Sequence, residues 1–260
     1  RMTSRERVRA ALNHCQPDAV PVDFGSTVVT GIHAGAVSML RETFGLSRSR
    51  DRVKVFEPFQ MLGVIEEDLR EKLLGDCIGL FHRGTVFGFD NCNWKNWELF
   101  DGSKVLVPGK FNTIPDENGD ILMYPEGDRS ASPSARMPQG GLYFDNTLRQ
   151  RPIDDSRLNP ADNVEEYGPI PDAEIERIGD KAGRLYAEND CALVYNLPGA
   201  SLGDISDIPG PGLKEPKGIR SEEEWYISTV LRGDYVFEVL SRQCDIALDN
   251  LKRAREALGE

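Results

Sequence analysis

Apolar residues recur three and four positions apart in five stretches of the chain, the spacing that places side chains on one face of an α-helix. These stretches cover residues 8–15, 36–44, 62–73, 175–185 and 236–258. Thr3 and Glu6 form a capping box before the first stretch, and Ser221 with Glu224 forms another before the last. The pattern therefore predicts amphipathic helices in all five stretches, each with one face turned towards a core.

Short unbroken apolar runs alternate with these helices and predict buried β-strands. The runs cover residues 19–25, 53–56, 77–81 and 191–195, and the polar residues 47–52 predict a loop. Helices that alternate with buried strands are typical of an α/β protein with a parallel sheet. We assign the first, third and fourth runs to three core βα units.

Residues 85–147 have a different pattern, in which short alternating runs flank two hairpin signals, Asp101-Gly102 and Asn118-Gly119. This pattern predicts an antiparallel β insertion. The chain is then divided into N-terminal βα units over 1–84, the β insertion over 85–150, and a further βα unit with a long C-terminal helix over 151–260.

Charge and composition indicate which classes of partner the protein can bind and in which cellular compartment it lies. The chain has 31 basic and 43 acidic residues and a formal net charge of −12, which argues against binding to nucleic acid or to an anionic membrane. No apolar stretch is long enough to span a bilayer, and the charged first residues lack the apolar core of a secretory signal. Five widely spaced cysteines are typical of a reduced compartment. We expect a cytoplasmic protein with no nucleic-acid partner and no membrane partner.

Four segments carry a family resemblance: MTSRERVRAALNHCQPDAVPVDFG (2–25), REKLLGDCIGLF (70–81), MPQGGLYFD (137–145) and DYVFEVLSRQCDIALDNLKRAREALGE (234–260). In this order they resemble the uroporphyrinogen decarboxylase superfamily, and more closely its corrinoid-dependent methyltransferase-like branch. The resemblance implies a (β/α)8 barrel with its site at the carboxyl ends of the strands. It also implies that a methyl group passes between a small molecule and a cobalamin carried on a separate corrinoid protein. Zinc is a further cofactor of the full-length family.

The resemblance places six side chains at the ends of the three core strands, where a small-molecule substrate would bind. They are Asp23 and Ser26 after the first strand, His82 and Arg83 after the second, and Tyr195 and Asn196 at the third. His82 and Arg83 would orient an anionic or polar substrate, or would lie in a solvated loop bonded to the insertion. Asp23 is equally suited to a turn or a helix cap. Tyr195 and Asn196 would line a pocket, or would supply a packed ring and a turn. No catalytic residue is assigned.

Two departures from the family pattern bear on fold and function. In the first, residues 25–29 stand where true decarboxylases have an R-Q-A-G-R run. In the second, the chain has no H-x-C zinc motif, so no metal ligand is predicted. Family members are also considerably longer, and three βα units cannot close a barrel that takes roughly 250 residues. We therefore expect an α/β fold: a partial (β/α)8 TIM barrel, made of its N-terminal βα units, with an antiparallel β-hairpin insertion. A complementary C-terminal barrel half, or self-association, would cover its open sheet.

Three functions remain open. The first is a uroporphyrinogen decarboxylase-like, cobalamin (corrinoid)-dependent methyltransferase, of which this chain is an N-terminal portion with the zinc ligands elsewhere. The second is a non-catalytic barrel half or interaction protein, which the missing H-x-C motif favours. The third, a minor alternative, is a uroporphyrinogen decarboxylase, which needs carboxylate-binding arginines that residues 25–29 do not supply.

Overall fold

The computed structural model describes residues 1–46 and 52–259 of the chain. They form a mixed α/β fold of helices and three β-sheets. The helices are α1 (Ser4–Leu12), α2 (Ala34–Thr43), α3 (Glu67–Lys72), α4 (Asp172–Glu188), α5 (Glu222–Leu231) and α6 (Gly233–Leu258). The strands are β1 (Val53–Glu57), β2 (Leu62–Gly63), β3 (Cys77–Leu80), β4 (Lys95–Glu98), β5 (Lys104–Val107), β6 (Ile114–Pro115), β7 (Ile121–Met123), β8 (Ala135–Met137), β9 (Asp145–Asn146) and β10 (Ala192–Tyr195). All of the predicted loop over 47–52 except Arg52 lies outside the described residues.

Four of the five predicted helices are confirmed, as α1, α2, α4 and α6. The first helix begins with both halves of the capping box between Thr3 and Glu6 in place. The exception is the stretch 62–73, where Leu62 and Gly63 pair with β1 as strand β2 and leave α3 with six residues. Pairing with a neighbouring strand overrides the helical pattern there, because helix propensity is weak compared with tertiary contacts.

The apolar face that the sequence predicts for α1 does not point into a core. Leu12 is 76% exposed and Cys15 is also exposed. The helix instead buries Arg7, whose guanidinium donates to Asp18 at 2.8 Å and to Asp76 at 2.5 Å. Since a guanidinium can be buried when carboxylates pair with it, ionic contacts set the orientation of this helix.

The β insertion contributes to two of the three sheets. One sheet has the order β2-β1-β5-β4, in which β1 and β5 are parallel and the other pairs antiparallel; β6 to β9 form an antiparallel sheet. Both predicted hairpins are confirmed, and Gly102 and Gly119 each have a φ of +83°, which a residue with a Cβ rarely adopts. Strands of both sheets share one core, in which the rings of Phe87, Phe111 and Phe144 are fully buried.

The third sheet holds two of the three predicted core strands. β3 and β10 are parallel neighbours, in register from Cys77 opposite Ala192 to Leu80 opposite Tyr195. Helix α4 covers one face, with Ile178 packed in the same cluster as Leu80. Within the described chain no further strand pairs with either edge, and no barrel closes.

The predicted first core strand, 19–25, is wrong, because this segment is irregular and Val20 is 83% exposed. It still runs beside β3, where the backbone N–H of Asp76 donates to the carbonyl of Val22 at 2.7 Å. Pro21 has no N–H to donate, and Gly25 turns the chain away with a φ of +72°. These two residues prevent a regular ladder along this edge.

In helix α6 the apolar face predicted over 236–258 is only partly buried. Val236 and Ala247 are buried as expected, whereas Leu251 is 49% exposed. Asn250 is buried in its place, because its side-chain oxygen accepts the backbone N–H of Ile170 at 2.8 Å. None of the described helices is long and apolar enough to cross a lipid bilayer.

Candidate functional site

Two of the residues predicted from the sequence meet at the carboxyl ends of β3 and β10. Tyr195 is the last residue of β10, and His82 lies two residues beyond the end of β3. Because the two strands are parallel and in register, both side chains emerge at the same edge of the sheet. His82 Nε2 lies 2.6 Å from the hydroxyl oxygen of Tyr195, so the two side chains are directly hydrogen-bonded.

The first turns of α4 complete a polar group around this pair. Glu174 Oε1 lies 3.4 Å from His82 Nδ1 and accepts the backbone N–H of Arg83 at 3.0 Å. Arg177 donates to the two carboxylate oxygens of Glu174 at 2.6 and 2.7 Å, and to the carbonyl of Phe81 at 2.7 Å. We call His82, Glu174, Arg177 and Tyr195 the His82 cluster.

Burial sets the protonation states in the His82 cluster. It lowers the pKa of His82, and Arg177 acts in the same direction, against the opposing effect of Glu174. The imidazole is therefore neutral at neutral pH. Burial likewise raises the pKa of Tyr195 to about 12, helped by Glu174, so its hydroxyl keeps its proton.

The carboxylate of Glu174 determines which ring nitrogen of His82 carries the proton. Burial acts to raise the pKa of Glu174, but the hydrogen bonds from Arg177 and from the backbone of Arg83 outweigh it and lower the pKa overall. An ionised carboxylate can only accept, so we assign the ring proton to Nδ1, which faces it. Nε2 is then an acceptor for the hydroxyl of Tyr195.

This arrangement can move a proton in either direction. A base at Nε2, reached through the hydroxyl of Tyr195, can take a proton from a substrate. The imidazolium that forms would lie beside the carboxylate of Glu174, which stabilises the positive charge. The His82 cluster is therefore suited to general acid–base chemistry on a small polar molecule.

The other four residues predicted from the sequence, Asp23, Ser26, Arg83 and Asn196, contribute no side chain to the His82 cluster. The side chain of Asp23 accepts from the hydroxyls of Ser26 at 2.6 Å and Thr30 at 3.2 Å, which makes a local turn. Arg83 supplies its backbone N–H to Glu174, and its side chain is exposed, as is Asn196. The turn lies against β3, where the carbonyl of Ser26 is so close to Gly79 that a Cβ there would come within 2.4 Å.

Glu174 and Arg177 were missed by the sequence analysis. The available signal was their position at the start of the helix that precedes β10. A helix that leads into a strand of the same sheet runs antiparallel to it, so its first turn lies at the carboxyl ends of the strands. Their 174/177 spacing places them on one helix face.

The described residues offer no ligand set for the zinc ion that the resemblance implies. No three His, Cys, Asp or Glu side chains among them come together in a way that could hold a metal ion. His82 has one carboxylate neighbour, Glu174, and its Nε2 is occupied by Tyr195.

Comparisons with protein-family models, with curated proteins and with solved structures give no match to this chain.

Proposed function

We propose that the chain belongs to an enzyme that transfers a methyl group to or from a small molecule, with the His82 cluster handling the accompanying proton. The observation that supports this proposal is the 2.6 Å contact between His82 and Tyr195 at the carboxyl ends of two parallel strands. Catalytic groups of barrel enzymes lie at that end of the sheet. The choice of methyl transfer comes from the family resemblance, with a corrinoid on a separate protein as the methyl carrier.

Methyl transfer to a thiol, hydroxyl or amine requires that the acceptor lose its proton. The acceptor atom forms a bond to carbon with its electron pair, and its proton passes to the oxygen of Tyr195. The original hydroxyl proton of Tyr195 then passes to His82 Nε2, beside Glu174. In the reverse direction, the same groups return a proton to the oxygen, nitrogen or sulfur that the methyl group leaves. The corrinoid supplies or accepts the methyl group.

The partial TIM barrel belongs to the same proposal. In support, β3 and β10 are parallel neighbours and α4 packs across them, as in one βα layer of a barrel. The outer edge of β10 pairs with no other strand of the described chain. We propose that a complementary barrel half or a second copy covers this edge. A cytoplasmic location is also proposed, and the five free thiols are compatible with a reduced compartment.

A methyl-transfer assay tests the catalytic proposal. The chain, completed by the barrel half that the proposal assigns to it, is mixed with cob(I)alamin and a panel of O-, N- and S-methylated small molecules, and formation of methylcobalamin is followed by absorbance. We expect turnover with at least one donor, and a loss of about 10²–10⁴-fold in rate for His82→Gln, the contribution typical of a positioned acid–base group. Tyr195→Phe should lose rate as well.

Tyr226→Phe is the matched control for Tyr195→Phe, because Tyr226 is 62% exposed on α5 and is not part of the His82 cluster. It should retain the rate of the unmodified chain. Absence of turnover across the panel by the completed barrel would contradict methyl transfer. Turnover that is unchanged in His82→Gln and Tyr195→Phe would contradict the role of the His82 cluster.

The open edge of β10 favours a second candidate function, a non-catalytic barrel half that binds a partner chain. An edge strand with unpaired N–H and C=O groups is a template for strand addition. Analytical ultracentrifugation of the purified chain distinguishes the two. A stable self-associated species without turnover on any donor would favour the interaction protein, and turnover would favour the enzyme.

A further inference from the structure

A polar cleft of about 760 Å³ lies between the β insertion and the loop that follows β10. One wall comes from residues 128, 130–133 and 147–151, and the other from residues 214–216. Pockets for small molecules commonly have volumes of roughly 300–1,000 Å³. The cleft is thus large enough for a small organic ligand, and it shares no residue with the His82 cluster.

Four of the five charged side chains that line the cleft cancel in pairs. Lys214 Nζ lies 2.9 Å from Asp128, and Arg151 lies 3.3 Å from Glu215. Arg149 is the fifth. Within the described residues no carboxylate forms an ion pair with it. Lys214 Nζ also lies 3.0 Å from Glu126, just outside the lining, so Arg149 is the lining cation without a carboxylate partner among the described residues, in a chain whose net charge is −12.

Arg149 is held in place by backbone carbonyls. Its two terminal nitrogens donate to Leu213 at 2.5 Å, Pro209 at 3.2 Å and Gly210 at 2.6 Å. Its Nε is buried with no acceptor among the described residues. Burial lowers the pKa of Arg149 to about 10, and nearby Arg220 contributes, so the guanidinium is still charged at neutral pH. Carbonyl dipoles solvate this charge but do not neutralise it.

The cleft also offers apolar contact. Leu148, next to Arg149, lines the cleft and is 77% exposed, and Pro133 and Pro216 lie in the two walls. An exposed leucine beside a fixed cation suits a ligand that has a carbon skeleton and an anionic group.

We propose that this cleft binds a small organic molecule carrying a carboxylate or a phosphate group. The oxyanion takes the place of the carboxylate partner that Arg149 does not have. The positive field of Arg149 favours such anionic ligands over neutral ones. Arg151, which is 61% exposed, and the exposed Ser132 are free to reorient and donate to the bound oxygens. Leu148 covers the carbon skeleton. The proposal does not depend on methyl transfer.

Binding of three ring compounds tests the proposal. Benzoate and phenyl phosphate carry the two candidate oxyanions on the same ring, and benzamide is the neutral counterpart of benzoate. Affinities are measured by isothermal titration calorimetry at constant ionic strength. We expect at least one anion to bind about tenfold or more tightly than benzamide, the ratio expected for a charge-assisted hydrogen bond. The stronger of the two identifies the preferred oxyanion.

Three variants that each change the net charge by −1 locate the binding site. Ser132→Asp and Arg151→Gln alter the cleft, whereas Ala187→Asp alters an exposed position on α4. The first two should weaken binding of the anion about threefold to tenfold, the range for an exposed charge pair, and Ala187→Asp should leave it unchanged.

Arg149→Gln should abolish the preference for anions, and circular dichroism checks that this variant is folded. If Arg149→Gln does not fold, Ser132→Asp and Arg151→Gln still test the site, because both change exposed side chains. Equal binding of benzoate, phenyl phosphate and benzamide would overturn the proposal. Loss of binding in Ala187→Asp equal to that in Ser132→Asp would overturn it as well, because the preference would then follow the net charge of the chain.

Discussion

Arg220 offers the sharpest test of how the loop after β10 is held. Its side chain is 1% exposed just before α5, and it makes a two-pronged contact with Glu166 at 2.6 and 3.1 Å. It also donates to the carbonyls of Lys217 at 2.7 Å and Asp162 at 2.6 Å. Further contacts run to the carbonyl of Ile208 at 3.3 Å and to Glu165 at 3.5 Å. Arg220→Met keeps a side chain of similar length but removes the charge and every donor, so two carboxylates and three carbonyls lose a partner.

The expected cost follows from the burial of the two partners. Removing one member of a buried ion pair costs about 3–5 kcal/mol, because the other charge is left without compensation. Glu166 is 21% exposed and can be partly rehydrated, so we expect the lower end, about 3 kcal/mol. At roughly 2 °C per kcal/mol for a chain of this size, the midpoint of thermal unfolding should fall by about 6 °C.

Urea unfolding followed by circular dichroism measures this loss. Arg242→Met is the matched control, because Arg242 forms an exposed pair with Glu238 at 2.8 Å on α6 and should cost about 0.5 kcal/mol or less. Adding Glu166→Gln to Arg220→Met should recover part of the loss, since the unpaired carboxylate is then gone. A loss in Arg220→Met no larger than in Arg242→Met would refute the reasoning that this buried guanidinium anchors the loop.

Three further predictions concern the insertion core, one carboxyl group and the His82 cluster. Phe111→Ala should cost about 3–5 kcal/mol in urea unfolding, because the ring is 1% exposed in the shared core; a loss below about 1 kcal/mol would contradict that packing. Burial, with neighbouring carboxylates, raises the pKa of Asp207 from 3.8 to about 6, so the folded state binds the proton more tightly and loses stability as the pH rises between these values. Asp207→Asn should therefore be more stable than the unmodified chain above pH 6 but not below pH 3.8. If the two proteins were equally stable in both pH ranges, the raised pKa of Asp207 would be contradicted. In NMR titrations of His82, Tyr195→Phe should raise the pKa of the ring by removing a donor to its neutral form, and Glu174→Gln should lower it by removing a negative charge; shifts in the same direction would contradict the assigned tautomer.

Elements whose formation depends on a few adjacent residues were predicted well. The two hairpins follow from Asp101-Gly102 and Asn118-Gly119, since glycine supplies the positive φ that each turn needs. At the second predicted capping box, the hydroxyl of Ser221 accepts the backbone N–H of Glu224, but it caps α5 rather than the last helix. The unbroken apolar run in β3 also formed a buried strand. In the hairpins and the cap the decisive contacts lie within a few residues of one another, whereas β3 was indicated by its apolar run although it pairs with the distant β10.

Elements that depend on distant partners were predicted less well. The segment 62–73 has a helical apolar pattern, yet Leu62 and Gly63 pair with β1. The apolar residues of α1 face outward because Arg7 reaches Asp76, 69 residues away in sequence. No pattern within either segment indicates which distant residue will pair with it.

The candidate site divides in the same way. His82 and Tyr195 could be proposed from sequence because both come at the ends of buried runs, and the ends of parallel strands share an edge. Glu174 could not, because its proximity to His82 depends on how α4 packs across the sheet. For Asp23 the sequence left a turn and a substrate contact open as alternatives, and the structure shows the turn, in which its carboxylate accepts from the hydroxyl of Ser26.

The order of residues by itself determined the hairpins, most helices, the parallel strands β3 and β10, and the two side chains at their carboxyl ends. Only the tertiary structure decided which helix faces are buried, how the insertion shares a core with β1, and which charges are paired. The physical reason is the range of the interactions. Turn, capping and periodicity effects act between residues a few positions apart, so the local sequence contains them. Burial and ion pairing depend on partners far along the chain, so they are defined once the whole chain has packed.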